Sequence, residues 1–275
     1  MTILDGARSA DRRLLSVAGG ELVAYTCSAP DKETENEDTV AAIEYGPDSV
    51  VLIVADGAGG LPAGKRASLT AVTEMRRSLQ HAQSETTLMR TAIINGIEAA
   101  NRAVLGLGNG AATTLTIVGI EGRDARAYQI GDSEALVVGQ RGRIRLQTMA
   151  HSPTGFAVEA GFLDQRAALH HAERHLVSNF IGANDMRIDM GAAVTLQPRD
   201  TVLLASDGLT DNIHLHETIE IIRKGPLRSA VDQLTRLAER RMSAESTGQP
   251  SKPDDLSLIL FRKPATAKRS KSAPA

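Results

Sequence analysis

Apolar residues recur along this chain with two different periods, and the switches between them set its architecture. Residues 17–27, 39–43 and 50–55 are short runs rich in Val, Ile, Leu and Ala. The last two flank the turn cluster Gly46-Pro47-Asp48-Ser49, which predicts a hairpin. Over residues 64–83 the spacing becomes helical through Ala67, Ala71, Val72, Met75 and Leu79, and residues 86–105 repeat it through Leu88, Ala92, Ile93, Ile97 and Ala100. Strand rhythm returns at 113–120, 125–130, 134–139 and 143–147 with tight turns between, predicting an antiparallel meander. Residues 151–181 are polar with scattered apolar positions, which predicts an irregular flap with one short helix. Strands are expected again at 193–196 and 201–205, helices at 216–224 and 227–242 on either side of Gly225-Pro226, and a closing strand at 257–261.

Helices grouped in pairs and strands grouped in antiparallel runs exclude an alternating parallel α/β fold. The class is α+β, two packed sheets with helices outside. A single domain is expected over residues 1–262, followed by a disordered tail over 263–275 rich in Ala, Lys, Ser and Pro.

The hairpin has a chemical consequence. In an antiparallel pair the start of one strand lies beside the end of the next, so Asp38 and Asp56 become neighbours. They belong to a set of four acidic motifs, each set against an apolar run: Asn36-Glu37-Asp38, Asp56-Gly57-Ala58-Gly59-Gly60, Ser206-Asp207-Gly208 and Asp254-Asp255. Any one of them alone reads as an ordinary surface turn, since Asp-Gly is a common turn dipeptide. Together they place carboxylates at strand ends that converge, and converging ionised carboxylates repel and lose solvation unless hard cations sit among them. The pattern points to a two-metal hydrolytic site.

Composition narrows the partners. The 275 residues include no Trp, three Tyr and four Phe, so aromatic stacking on bases has little to work with and nucleic acid is not an expected partner. The formal charge is −2, but residues 262–275 hold five Lys and Arg and no acid, leaving the remainder with 26 bases against 33 acids, or −7. A lone Cys27 fits a reducing compartment and reads as a small buried apolar residue. No apolar stretch reaches the roughly 20 residues of a membrane span, and Asp5 and Asp11 interrupt the N-terminus where a signal peptide is apolar. A cytoplasmic, non-membrane protein is expected.

The ordered series Asn36-Glu37-Asp38, Asp56-Gly57-x-Gly59-Gly60, Gly131-Asp132-Ser133, Ser206-Asp207-Gly208-Leu209-x-Asp211 and Asp254-Asp255-x-Ser257 resembles the metal-dependent serine/threonine protein phosphatases of type 2C, the PPM type. The resemblance runs from about residue 18 to 262 and includes Thr113-Thr114-Leu115, Val158-Glu159-Ala160-Gly161 and Asn179-Phe180-Ile181-Gly182. It implies an α-β-β-α sandwich of two antiparallel sheets flanked by helix pairs, with two Mn²⁺ or Mg²⁺ ions at one end. Carried onto this chain, it implies that Asp56 bridges both ions and Gly57 lends its carbonyl. Asp207 and Asp254 would hold one ion, Glu37 and Asp38 would bind or orient the other, and Asp132 would contribute to a weaker third. The catalytic set implied is Asp38, Asp56, Asp207 and Asp254, hydrolysing phosphoserine and phosphothreonine through a water activated by the metals. The implied partners are a phosphorylated protein substrate and a cognate kinase or its target, with the enzyme a monomer.

Three positions depart from the pattern. Glu33 stands where relatives carry a phosphate-clamping Arg, leaving Lys32, Lys65 and Arg66 as candidate substitutes. Ala58 stands where some have a His, and His151 is a candidate proton donor. Glu134 replaces an Arg after Gly-Asp-Ser. Other signals are discounted: Gly106-Leu107-Gly108-Asn109-Gly110 follows a helix, the wrong order for a dinucleotide loop, and His171 with His175 lacks a His-Glu-x-x-His frame. His214 and His216 are near enough to the fourth motif in sequence to approach the site. The competing reading is a pseudophosphatase that binds a phosphoprotein or kinase without hydrolysis, and a regulator phosphatase with one small anti-sigma-type partner would share the enzyme's chemistry.

Overall fold

The computed structural model describes residues 2–4, 10–58, 63–108, 110–174, 176–243 and 248–264. Gly59, Gly60, Asn109, His175 and the segment 265–275 lie outside them. Three separate apolar clusters cut the chain into four layers. In the run Ser49–Ala55, Val51, Ile53 and Ala55 join one cluster while Val50, Leu52 and Val54 join another. A strand buried on both faces loses its polar alternation, which is why this segment reads as unbroken apolar sequence. The first cluster packs helices α1 (Ala63–Ser84) and α2 (Met89–Leu105) on one sheet through Met75, Leu79, Ile93 and Ile97. The second lies between the two sheets and includes Leu22, Val118, Leu204 and Phe261. After the short helices α3 (Pro153–Glu159) and α4 (Gln165–Ala168), helices α5 (Asp207–Thr210), α6 (Leu215–Ile222) and α7 (Leu227–Ser243) cover the other sheet through Leu209, Ile222, Leu234 and Ala238. The result is the expected α-β-β-α sandwich.

One sheet orders Thr2–Leu4, Thr39–Gly46, Ser49–Ala55, Leu115–Glu121 and Asp124–Ile130, with Asp189–Met190 and Val194–Thr195 both on its last strand. The other orders Ile144–Gln147, Glu134–Val138, Thr201–Ala205, Leu256–Arg262, Gly20–Cys27 and Asp11–Val17. All these pairings are antiparallel. The meander expected over 113–147 is therefore corrected, because its four strands divide between the sheets. Asp124–Ile130 ends in one sheet, and after Gly131-Asp132-Ser133 the chain resumes as Glu134–Val138 in the other. Gly131 takes φ +103°, and a Cβ there would sit 2.6 Å from the Thr114 side chain, so the crossing needs glycine. The strand expected at 17–27 starts at Gly20, and Asp11–Val17 forms a hairpin partner for it across Ala18 and Gly19, both at positive φ. The flap holds two short helices in place of one, capped by Ser152 and Asp164.

Lys263, assigned to the tail from sequence, is 6% exposed and ion-paired with Asp48. Its carbonyl accepts Arg199 N at 3.3 Å, and Arg123 Nη2 donates to the Pro264 carbonyl at 3.0 Å. Ending the chain at Pro264 is expected to leave the melting temperature unchanged. Ending it at Arg262 should lower it by several degrees, because the buried Lys263 side chain and the two carbonyl acceptors of Arg199 N and Arg123 Nη2 are removed together. Equal melting curves for the two truncations would refute this assignment.

Candidate functional site

Strand register brings the acidic motifs to one end of the sandwich. Thr39 pairs with Ala55, so Asp38 and Asp56 leave the first sheet side by side. In the second sheet Leu258 pairs with both Ala205 and Tyr25, which sets Ser206-Asp207 beside the entry of the closing strand at Asp254-Asp255. Asp132 lies in the turn that crosses between the sheets. The carboxylates sense one another. Desolvation pushes Asp56 well above the usual range, reinforced by the charges of Asp38, Asp207, Asp254 and Asp132. Desolvation also raises Asp38 to about 8, with Asp255 adding to it, and raises Asp132 to about 8, with Asp207 and Asp211 adding.

Backbone and hydroxyl groups hold these positions. Asn36 accepts Asp38 N at 2.8 Å and donates to Thr26 Oγ1 at 2.9 Å, and Thr26 Oγ1 lies 2.7 Å from Ser257 Oγ. Ser206 Oγ donates to Asp38 Oδ2 at 2.9 Å and accepts Ser257 N at 3.0 Å, tying the two sheets at the site. Thr114 Oγ1 accepts Asp56 N at 2.9 Å, while Thr113 Oγ1 and Thr114 N donate to the Asp56 carbonyl, each at 2.8 Å. Asp255 is a staple: it accepts Ala29 N at 2.9 Å and Glu37 N at 2.7 Å. His151 is committed as well, since its Nδ1 meets Asn179 Nδ2 at 2.9 Å and Gly131 N at 3.3 Å. Burial lowers its pKa, and with Nδ1 accepting from Gly131 N the ring steadies the Asp132 turn. His214 opens α6, its N–H on Glu217 Oε2 at 3.1 Å and its ring stacked on His216.

Several acceptors here lack hydrogen bonds. Glu37 Oε1, Asp38 Oδ1 and Asp207 Oδ1 are buried with no donor. Gly57 and Gly64 form a tight cradle beside them: a Cβ on Gly64 would lie 2.5 Å from Glu37 Oε1 and 2.7 Å from the Gly57 carbonyl. Buried acceptors left without donors are costly, and hard cations satisfy such oxygens, so these residues fit a divalent ion. Among the described residues, however, no three Asp, Glu, His or Cys side chains are already drawn into ion-holding geometry. Two ammonium groups lie among these acids. Lys32 Nζ lies 3.1 Å from Glu37 Oε2 and 2.6 Å from Asp255 Oδ2. Lys252 Nζ sits among Asp207, Asp211 Oδ2 at 3.1 Å and Asp254 Oδ2 at 3.0 Å.

The sequence reading missed Gly64, Lys252 and the stapling role of Asp255. Lys252 was readable only as a loop lysine, but a glycine opening a helix right after an acidic motif is a signal that could have been weighed. Of the candidate clamps, Lys32 is engaged by carboxylates, Lys65 Nζ reaches the Asp38 carbonyl at 3.3 Å, and Arg66 is exposed, as is Glu33. A cavity of about 500 Å³ runs from Asp132, Asp207 and Asp211 beneath the flap, past Glu134 and Arg174 to Leu136, Leu169 and Leu203. Burial pushes Glu134 up to about 7, partly offset by its hydrogen bond from Gln147.

The sequence profile of protein phosphatase 2C matches residues 28–247. Protein phosphatase PhpP of Streptococcus pneumoniae serotype 2 (strain D39) is 32% identical over 216 residues, 75% of this chain and 87% of that protein. The S. agalactiae serine/threonine phosphatase superposes with a TM-score of 0.73 at 26% identity, covering 92% of this chain and 99% of the other. The catalytic domain of serine threonine protein phosphatase PstP, in complex with two manganese ions, gives a TM-score of 0.70 at 21% identity over 94% of this chain and 100% of its own. The chain belongs to the protein phosphatase 2C family. No helix among the described residues is long and apolar enough to cross a membrane.

Proposed function

We propose that the protein is a metal-dependent phosphatase acting on phosphoserine and phosphothreonine in proteins. The observation that carries it is the meeting of Asp38, Asp56, Asp132, Asp207 and Asp254, from five separated segments, around buried carboxylate oxygens without donors. Glu37, Asp38, Asp56 and the Gly57 carbonyl would hold one Mn²⁺ or Mg²⁺, and Asp56, Asp207 and Asp254 a second, with Asp132 serving a weaker third. Bound there, the ions supply Lewis acidity toward phosphate and a water of lowered pKa. The chain supplies the rest. Thr113 and Thr114 fix Asp56 from both sides, Ser206 orients Asp38, and the cavity beneath the flap admits the residues next to the phosphorylated one. A phosphorylated protein is the substrate, and a cognate kinase or its target is the partner this activity would oppose. Cytoplasmic location and action as a monomer belong to the same reading. Hydrolysis of an aryl phosphate and of a phosphopeptide should require Mn²⁺ and vanish in EDTA; turnover without metal, or none with it, would overturn the proposal.

The binding-only alternative draws on Glu33, an exposed carboxylate where phosphate needs a cation. An Arg fork on phosphate contributes roughly 1.5–3 kcal/mol. Glu33→Arg is therefore expected to lower the KM for phosphopeptide several-fold while leaving metal dependence alone. An unchanged or higher KM would move the clamp to Lys65 or Arg66.

A further inference from the structure

Lys252 is not a solvated surface lysine. Its backbone is clamped on both sides by one buried side chain: Lys252 N donates to Asn212 Oδ1 and Asn212 Nδ2 donates to the Lys252 carbonyl, each at 2.8 Å. The same Asn212 amide reaches the Gly208 carbonyl at 2.9 Å, so the loop carrying Lys252 is pinned to α5, which begins at Asp207. Next to it, Arg174 of the flap donates to the Ser251 carbonyl at 2.9 Å. With its side chain 20% exposed, the ammonium lies within ion-pair distance of Asp207, Asp211 and Asp254 together. It is positioned as a cation inside the acidic cluster.

We propose that Lys252 is a tethered counter-cation of the Asp207, Asp211 and Asp254 side of the site, and that a divalent ion must displace its ammonium to bind there. This rests on the metal-site reading above. The two sides of the site are then unequal. Among Glu37, Asp38 and Asp56, Lys32 pairs with Glu37 alone, and Asp38 Oδ1 and Glu37 Oε1 stand without donors, whereas on the other side Lys252 pairs with Asp207, Asp211 and Asp254 at once and leaves Asp207 Oδ1 without a donor. The first ion binds to the Glu37, Asp38 and Asp56 side at ordinary affinity. The second binds more weakly, because entry requires breaking ion pairs made by a group that cannot diffuse away. Lys252 thus sets the metal concentration at which the site becomes fully loaded, and without metal it holds together acids that would otherwise repel.

The test is Mn²⁺ binding by calorimetry on the full chain, with melting temperatures in EDTA, for the wild type, Lys252→Met and Lys252→Arg. The wild type should bind one ion tightly and one weakly. Lys252→Met should tighten the weak ion by about tenfold or more, the low end of what an ammonium about 3 Å from carboxylates is worth near a surface. It should also melt lower than wild type in EDTA and gain more from Mn²⁺. Lys252→Arg should keep the weak site weak. Unchanged Mn²⁺ affinity in Lys252→Met, or an unchanged melting temperature in EDTA, overturns the inference while leaving the metal site intact. Absence of Mn²⁺ binding in every protein overturns the metal reading itself. Should Lys252→Met not fold, the structure of wild-type protein loaded with Mn²⁺ decides: Lys252 Nζ should have moved beyond roughly 4 Å, the limit of an ion pair, from Asp207 and Asp254. An ammonium still paired to both with two ions bound overturns the proposal.

Discussion

Asp56→Asn should remove nearly all phosphatase turnover, about a thousandfold or more, equivalent to about 4 kcal/mol of barrier. Asp132→Asn should cost only about tenfold, about 1.4 kcal/mol. The difference follows from position. Burial first, then the charges of Asp38 from one sheet and of Asp207 and Asp254 from the other, raise Asp56, which fits the proposal that it serves both sides of the site. Asp132 is raised first by burial and then by Asp207 and Asp211, and it lines the cavity. The same substitution should not lower the stability of the metal-free protein, because it replaces a desolvated carboxyl by a neutral group of similar shape while the Thr113 and Thr114 contacts to its backbone persist. Lost activity with retained melting temperature in EDTA, measured with loss of Mn²⁺ binding, checks the assignment. Equal rates for the two variants would show that Asp56 is not shared.

In EDTA the protein should become less stable as the pH rises from about 5 to about 9, and Mn²⁺ should largely remove that slope. The folded-state values of Asp38 and Asp132, about 8, and of Asp254, about 6, lie above those of an unfolded carboxyl. The folded chain then binds more protons than the unfolded one, so this contribution is fully present below the unfolded pKa. It is lost as the pH climbs through 6 and then 8. Desolvation is the principal cause in each case, and for Asp254 the neighbouring Lys252 ammonium offsets part of it. Melting temperatures across this range with and without Mn²⁺ test the point. A flat profile in EDTA would mean that the acids keep their charges without metal.

Much of this arrangement is legible in the chain itself. The hairpin of Thr39–Gly46 and Ser49–Ala55 follows from its turn cluster and apolar runs, and the pairing of Thr39 with Ala55 puts Asp38 and Asp56 together as register alone requires. Helices α1 and α2 follow from their spacing because each has one face on a sheet. What periodicity could not reveal is which sheet a strand joins. Residues 113–147 have the rhythm of neighbouring strands, yet Gly131 carries the chain across the sandwich, and its positive φ leaves no trace in an apolar count. Lys252 was illegible for a related reason. Its role depends on Asn212, 40 positions away, holding its backbone on both sides.

The hydroxyl of Ser206 joins Asp38 to the opposite sheet, and Asp132 occupies a crossing between sheets. Neither sheet owns the acidic cluster; it exists only along the seam where they dock. If the proposed ions bind there, their affinity gauges docking directly. During refolding, Mn²⁺ uptake should lag behind the formation of either sheet and report the moment the two halves close on Leu22, Leu52, Leu204 and Phe261.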